Sequence, residues 1–277
     1  MKKIWISMFL SLILGVGLSH LMAQDFFSQI RAQEQNKNVS TSGRTFFLKH
    51  KHTPKEIVLL IHGYTSNPSE FTHLSRHLFN EGFDVFAIRL PGHGTTPENL
   101  KNTSWKSWYH QVFNSYVYLK PQYERLFIVG SSTGALLGLK LSTHHHVDKV
   151  VSAGTFLVPH SKLFYLIPFI HFFMPEYLDV AIPKGRQHIM YTQNPVKAML
   201  QLNKLRTHVK KRLEQIKSPL LVIHSKGDDV AAPKSAQLLY NRAASKNKKL
   251  RWLGNEHTFL IDLDKDAYNR ISYFLTH

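Results

Sequence analysis

Residues 126–138, "LFIVGSSTGALLG", contain the motif from which the fold of this chain is predicted. Four apolar residues lead into a glycine, two serines, a threonine and a second glycine, and small and apolar residues follow. Gly130 to Gly134 fit the pattern G-x-S-x-G, in which a buried strand turns sharply into a helix. The central residue lies in a strained turn, and the neighbouring backbone passes so close that only glycine fits on either side. The pattern predicts an exposed nucleophile at Ser132, whereas we expect Ser131 to point elsewhere.

A serine hydroxyl is a weak nucleophile near neutral pH and needs a general base. Two later segments supply an acid and a histidine in the chain order that this motif requires. The segment LLVIHSKGDDVAAP (220–233) is an apolar strand that runs into a loop with Asp228 and Asp229, and LRWLGNEHTF (250–259) leads to His257. Strand ends of an α/β sheet meet at one edge. We therefore expect His257 to take the proton of the serine, and an aspartate to orient the imidazole.

Acyl transfer also needs donors for the negative charge that develops on the carbonyl oxygen. One expected donor is the backbone N–H of Thr133, the residue after the nucleophile. The second should come from the loop after an early strand. The segment LLIHGYTSNPSEF (59–71) has this form, and the second N–H is assigned to Tyr64.

Apolar runs and helical patterns alternate from residue 45 onward, which predicts a doubly wound, mostly parallel α/β sheet. Several runs are continuous in Val, Ile and Leu, as in strands that are covered on both faces. The predicted strands are 45–50, 56–62, 84–90, 125–130, 149–154, 219–225 and 249–253. The predicted helices are 68–80, 104–119, 134–142, 197–216, 235–244 and 265–275.

Residues 155–187 break this alternation. They are rich in Phe, Tyr, Leu and Ile and contain four prolines, which prevent one long helix because each proline removes a backbone donor. The segment is too apolar for a solvated loop. We interpret it as an inserted apolar cap near 155–196, over the edge where the strands end; the alternative is that it is part of the core.

The N-terminus has the form of an export signal. Met1-Lys2-Lys3 precedes an apolar run, residues 4–22, without Asp, Glu, Lys or Arg. Residues 1–23 are interpreted as a signal peptide or an uncleaved membrane anchor, with the anchor slightly favoured, so that the rest of the chain lies outside the cytoplasmic membrane. Polar residues 24–44 are interpreted as a tether, and 45–277 as the folded domain.

The chain is strongly basic: 35 Lys and Arg against 18 Asp and Glu give a net charge of +17. Such a surface favours anionic neighbours, but the excess is spread along the chain, and no nucleic-acid-binding signature accompanies it. We expect no nucleic-acid partner. The chain contains no cysteine, which excludes disulfides and thiol catalysis. No metal or organic cofactor is expected, because serine-based acyl transfer needs none.

The motifs together resemble the α/β-hydrolases, in particular bacterial carboxylesterases and monoacylglycerol lipases. The similar segments follow the family order over roughly residues 45–277. They include FAIRLPGHGTTPENL (86–100) and NEHTFLIDLDKDAYNRISYFL (255–275) in addition to those quoted above. The resemblance implies a triad of Ser132, Asp228 and His257 and an oxyanion hole at Tyr64 and Thr133. It favours Asp228 over Asp229 because the family acid lies five residues before a proline, here Pro233.

The resemblance implies a serine ester hydrolase that cleaves short- to medium-chain acyl esters or monoacylglycerols through an acyl-enzyme. The expected partner is therefore a small-molecule or lipid ester, with membrane association through the N-terminus and an exported, periplasmic-side location. Two features differ from the soluble members of the family, namely the N-terminal segment and the unusually aromatic cap. The alternatives are a thioesterase or acyltransferase on the same fold, or a non-catalytic lipid-binding module. The sequence leaves the acyl-chain length, the headgroup and the oligomeric state undetermined.

Overall fold

The computed structural model describes residues 26, 28–32, 34–35, 39–52, 54–182, 184–261 and 264–277. The chain divides into two compact units, Met1–Val39 and Ser40–His277. In the first, the described residues between 26 and 35 are helical, and the predicted signal or anchor, 1–23, lies outside the described residues. Within these described ranges, no helix combines the length and the apolar character that crossing a bilayer requires.

The second unit is built on a seven-stranded sheet. Its strands are β1 Phe46–Leu48, β2 Glu56–Ile61, β3 Asp84–Ile88, β4 Arg125–Ser131, β5 Lys149–Ala153, β8 Leu220–His224 and β9 Lys248–Trp252, while β6 Tyr177–Asp179 and β7 Gln193–Pro195 form a separate antiparallel pair. The order in the large sheet is β1-β3-β2-β4-β5-β8-β9. All neighbouring strands are parallel except β1, which pairs antiparallel with β3.

The central strands are buried because helices cover both faces of the sheet. The helices are α1 Thr72–Asn80, α2 Pro97–Lys101, α3 Trp105–Leu119, α4 Thr133–Ser142, α5 Ile167–Ile170, α6 Val196–Lys210, α7 Lys234–Arg242 and α8 Lys265–Thr276. Strands β3 and β8 are buried along their whole length, and the Val, Ile and Leu runs that predicted a covered parallel sheet form this core. The predicted doubly wound, mostly parallel fold is confirmed.

The strand register brings several strand ends to one edge. Ile61 pairs with Gly130, and Gly130 pairs with Ser152 on the next strand. Ser152 in turn pairs with Val222 near the end of β8. Loops that follow β2, β4, β8 and β9 therefore emerge side by side, which is where sheets of this type place their functional residues.

The segment between β5 and α6 contains short elements instead of one long helix. A 3-10 helix at Lys162–Tyr165 is followed by α5 and by a second 3-10 helix at His171–Phe173. The β6–β7 pair then leads into α6. Pro168 lies in the first turn of α5, where its missing N–H costs no helical hydrogen bond. That the segment acts as a cap stays a prediction.

The boundary of the folded unit differs from the predicted one by five residues. Residues 40–44, predicted to belong to the tether, are part of the second compact unit. The Ser40 N–H donates to the carbonyl of Gly94 at 3.1 Å, and residues 41–43 form a 3-10 helix that the Ser40 side chain caps. The polar residues that suggested a tether here make capping and long-range hydrogen bonds.

Candidate active site

The serine of the G-x-S-x-G motif has a backbone conformation that residues other than glycine rarely adopt. Ser132 has φ 50° and lies directly between β4 and α4. Its N–H donates to the Ala153 carbonyl at 2.8 Å, which holds the turn in place. A Cβ on Gly130 would lie 2.5 Å from the Ala135 nitrogen, and a Cβ on Gly134 would overlap the Ile61 carbonyl. Both glycines are therefore required by close backbone packing, as the motif predicted.

The structure brings together the three side chains predicted to form a triad. The Nε2 atom of His257 lies 2.9 Å from the Ser132 Oγ, and its Nδ1 lies 2.7 Å from an Asp228 carboxylate oxygen. Both distances lie within the normal range of hydrogen bonds. The histidine bonds to Ser132 and not to Ser131, which ends β4. Asp228, not Asp229, is the carboxylate that it contacts.

Asp228 is held as an ionised, immobile acceptor. It is 1% exposed. One of its oxygens accepts the N–H groups of Val230 and Ala231, at 3.0 and 2.7 Å. Burial alone would raise the pKa of Asp228, but the hydrogen bond and charge of His257, together with the Ala231 N–H and His224, outweigh it and lower that pKa. The second oxygen stays available to the histidine.

A second histidine, His224, lies behind the carboxylate, and the sequence analysis did not single it out. Its Nε2 is 2.8 Å from the Ala231 carbonyl and 3.2 Å from Asp228 Oδ2. Burial lowers the pKa of His224, which favours the neutral ring. The proton of this ring lies on Nε2, because the Ala231 carbonyl that Nε2 contacts can only accept a hydrogen bond. Its place at the end of β8, four residues before Asp228, is the signal that could have identified it.

The loop after β2 passes beside the serine. A Cβ on Gly63 would lie 3.5 Å from the Ser132 Cβ, so the Tyr64 backbone is adjacent to the nucleophile. The Gly63 N–H donates to the carboxylate of Glu70 at 2.9 Å, and Glu70 is 2% exposed. This carboxylate fixes the loop, and the sequence analysis missed it because the contact depends on how the loop folds back.

His62 and His93 have structural surroundings. The Nε2 of His62 accepts the Leu90 N–H at 3.0 Å, and burial lowers the pKa of His62 well below its usual value. Burial also lowers the pKa of His93, to about 4. Both rings are therefore neutral near pH 7.

A cavity of about 660 Å³ opens at Ser132 and His257. This volume lies within the range of small-molecule binding sites. The residues that line it include apolar side chains from the segment between β5 and α6 and from α6 itself, namely Phe156, Phe164, Val180, Ile182, Met199 and Leu202. Polar residues also line the cavity, among them Ser161, Asn194 and Glu256. The apolar side chains suit an acyl chain, and the polar ones suit a headgroup.

The arrangement has the parts that acyl transfer by a serine requires. His257 faces Asp228 through Nδ1 and the Ser132 hydroxyl through Nε2, which is the arrangement in which Nε2 can accept the hydroxyl proton. The Thr133 N–H, in the first turn of α4, and the Tyr64 N–H lie on the two chain segments that flank the serine. The site residues predicted from the sequence therefore lie in one place.

Two known proteins are similar to this chain over more than three quarters of its length. A carboxylesterase from Bacillus subtilis (strain 168) is 26% identical over 221 residues, which cover 78% of this chain and 90% of the relative. A thermostable monoacylglycerol lipase from Bacillus sp. (strain H-257) is 29% identical over 235 residues, with 79% and 90% covered.

Solved structures agree on the fold. The structure of a metagenome-derived lipolytic enzyme superposes with a TM-score of 0.79 at 24% identity, and covers 86% of this chain and all of its own. A soluble variant of monoglyceride lipase from Saccharomyces cerevisiae superposes with a TM-score of 0.70 at 17% identity, covering 84% and 90%. These likenesses confirm the predicted α/β-hydrolase fold. The family model described as serine aminopeptidase, S33, matches residues 52–194 and 184–264, and the chain belongs to this family, Hydrolase_4.

Proposed function

We propose that the protein hydrolyses acyl esters of an amphiphilic lipid through an acyl-enzyme on Ser132. At the level of reaction class it is a serine ester hydrolase, in agreement with the names of its two curated relatives. The observation that carries the proposal is the continuous hydrogen-bonded line from Ser132 through His257 to Asp228 at the mouth of an apolar cavity. The roles of the individual residues are part of the proposal.

In the first half-reaction, His257 Nε2 takes the Ser132 hydroxyl proton while Oγ bonds to the ester carbonyl carbon. The carbonyl oxygen becomes an oxyanion that the Tyr64 and Thr133 N–H groups stabilise. Collapse of this intermediate breaks the bond to the alcohol oxygen, which leaves with the proton from His257. Asp228 stabilises the transient imidazolium because its carboxylate stays charged.

In the second half-reaction, a water molecule takes the place of the alcohol. His257 removes a proton from this water as its oxygen bonds to the acyl carbon, and then returns that proton to Ser132 Oγ as the acid leaves. If an alcohol enters instead of water, the same steps transfer the acyl group to it. If the leaving atom is sulfur, the enzyme is a thioesterase.

An acyl chain is the substrate part that best suits the cavity. Phe156 and Phe164 pack edge to face with ring centroids 5.0 Å apart, and both line the cavity. Met199 and Leu202 of α6 add apolar surface. In the proposal, residues 155–196 act as the cap that shields this chain from water. The relative named a monoacylglycerol lipase supports a glycerol ester as the substrate class.

The proposed location is the outer side of the cytoplasmic membrane. Two lysines before a long apolar run at the N-terminus support export, with residues 1–23 as signal or anchor. The basic character of the chain is compatible with a membrane that carries anionic lipids.

The test is hydrolysis of a series of p-nitrophenyl esters, from acetate to palmitate, by the full chain and by Ser132→Ala. We expect turnover that is lost in Ser132→Ala, with the preferred chain length reporting the depth of the cavity. A matched series of acyl thioesters, and addition of an alcohol acceptor with product analysis, distinguish a thioesterase or acyltransferase. Turnover that survives in Ser132→Ala would contradict the proposal. Absence of turnover together with tight fatty-acid binding would favour the non-catalytic lipid-binding module.

A further inference from the structure

Exposed apolar side chains concentrate on one short stretch of the chain. Of the nine large hydrophobic residues exposed in the described ranges, six fall between residues 163 and 173. Phe169, Phe172 and Phe173 are 76%, 81% and 90% exposed. Isolated exposed apolar residues are ordinary, but a contiguous group indicates an interaction site. We name this group the outer apolar face; it consists of Leu163, Tyr165, Leu166, Phe169, Phe172 and Phe173.

Apolar residues of this stretch form two stripes, and four members of the outer apolar face make up one of them. Leu163, Leu166, Phe169 and Phe172 recur at steps of three, and so do Phe164, Ile167 and Ile170. In short helical turns such steps place side chains on one side. The second stripe turns inward, since Ile167 is 2% exposed and α5 contacts α6. The solvent side is therefore as apolar as the packed side, which burial within this chain does not explain.

The same stretch is in contact with the cavity. Phe164 lies in the 3-10 helix between Leu163 and Tyr165, and it lines the cavity together with Phe156. One helical turn thus presents its inner side to the acyl site and its outer side to solvent. A lipid that leaves a surface in contact with the outer side reaches the cavity over a short distance.

The part of the chain that carries the outer apolar face is basic. Residues 155–213 contain nine Lys and Arg and only two acidic residues, Glu176 and Asp179. Glu176 is paired with Lys101 at 2.7 Å. Lys162 is exposed at the start of the face. Arg206, whose guanidinium lies 5.0 Å from the Tyr165 ring centroid, is itself buried, and Arg186 is paired with Glu256 at 2.6 Å. Apolar side chains within basic surroundings match a lipid surface with anionic headgroups. A second copy of this chain would bring together two proteins of charge +17.

We propose that the outer apolar face docks the protein on an anionic lipid surface, with Phe169, Phe172 and Phe173 inserted among the acyl chains. This proposal rests on the proposed lipid-ester function and adds where the lipid enters. It is independent of the N-terminal segment, because it concerns residues 163–173 alone.

The absence of cysteine makes the proposal directly testable. A single cysteine is introduced in the full chain at Phe173→Cys and labelled with the environment-sensitive fluorophore NBD. The matched control is Val117→Cys, an exposed apolar position on α3 outside the face (51% exposed). Each is mixed with vesicles of phosphatidylglycerol or phosphatidylcholine that contain a doxyl-lipid quencher.

We expect the label at 173 to shift to the blue and to be quenched several-fold more than the label at 117, more strongly in phosphatidylglycerol. Equal quenching at the two positions would overturn the proposal. A blue shift at 173 without lipid quenching would also overturn it: dependence on protein concentration would indicate a second copy, and independence would indicate another segment of this chain on the face.

Activity separates this proposal from the proposed function. The triple variant Phe169→Ser, Phe172→Ser, Phe173→Ser should hydrolyse a soluble p-nitrophenyl ester like the wild type. It should lose about tenfold or more on an ester presented in phosphatidylglycerol vesicles, because three inserted rings are removed. The double variant Val117→Ser, Tyr273→Ser removes exposed apolar residues elsewhere and should lose nothing. If the triple variant kept the same fraction of wild-type activity on both substrates, docking would be overturned. A wild type that is inactive on both substrates would overturn the proposed function.

Discussion

Replacing the proposed acid by its amide, Asp228→Asn, tests how the carboxylate controls the tautomer of His257. An amide has one oxygen that accepts and one NH₂ group that donates. The carboxylate oxygen at 2.7 Å from the Ala231 nitrogen and 3.0 Å from the Val230 nitrogen accepts both N–H groups. The amide oxygen must take this place, because the opposite orientation would set the NH₂ against two donors and cost about 1–3 kcal/mol for each lost bond.

The NH₂ group is then forced toward His257 Nδ1, at the position that the carboxylate occupies at 2.7 Å. It donates to Nδ1, so that the ring proton moves to Nε2, which faces Ser132 Oγ at 2.9 Å. The histidine can no longer accept the serine proton. A serine triad with this tautomer loses about 10⁴-fold in rate, which corresponds to about 5 kcal/mol of transition-state stabilisation.

The assay is kcat/KM for a soluble p-nitrophenyl ester, with circular dichroism to establish that the variant is folded. The matched control is Asp229→Asn, which changes the adjacent carboxylate and should keep most of the activity, because His257 makes its hydrogen bond to Asp228. A kcat/KM of Asp228→Asn within about tenfold of the wild type would show that the carboxylate does not control the tautomer of His257. An equal loss of activity in the two asparagine variants would show the same.

Three further predictions concern the surroundings of the site. Glu70→Ala should lower the free energy of unfolding by about 1–3 kcal/mol and reduce kcat, since it leaves the Gly63 N–H without its acceptor; denaturant unfolding and kinetics measure both, and Glu70→Gln should restore most of each. His93 alone should lower the free energy of unfolding by about 3 kcal/mol as the pH drops from about 6.5 to 4, because the histidine binds a proton in the unfolded state while burial keeps it unprotonated in the folded state. In His93→Asn the free energy of unfolding, measured at several pH values, should change less over this range. Gly134→Ala should abolish activity and destabilise the fold by about 1–3 kcal/mol or more, because its Cβ overlaps the Ile61 carbonyl; thermal unfolding and ester hydrolysis show whether it does.

The parts of the fold that could be predicted from the sequence depend on local pattern. Strand β4 and helix α3 lie within a residue or two of their predicted bounds, because a continuous apolar run and a Ser104–Ser107 capping box are local signals. Helix α2 was missed, since its five residues, Pro97–Lys101, are too few to show a helical period. The predicted helix 197–216 ends earlier, at Lys210, and a separate 3-10 helix follows at Leu213–Gln215.

The residues of the site likewise differ in whether local sequence pattern predicts them. Ser132, Asp228 and His257 follow strands, so the edge of a parallel sheet brings them together. The contacts of Glu70 with Gly63 and of His224 with Asp228 depend on how two loops fold back, and no periodicity records this. Likewise, the apolar composition of residues 163–173 was evident, but the side of the helical turns that faces solvent is set by packing against α6.

The proposed mechanism requires that Ser132 is the residue that becomes acylated. The most direct measurement is labelling of the full chain with a fluorophosphonate, followed by peptide mass spectrometry, in the wild type, Ser132→Ala and Ser131→Ala. We expect a single adduct on Ser132 in the wild type and in Ser131→Ala, and none in Ser132→Ala. An adduct on Ser131, or labelling that persists in Ser132→Ala, would show that Ser132 is not the nucleophile.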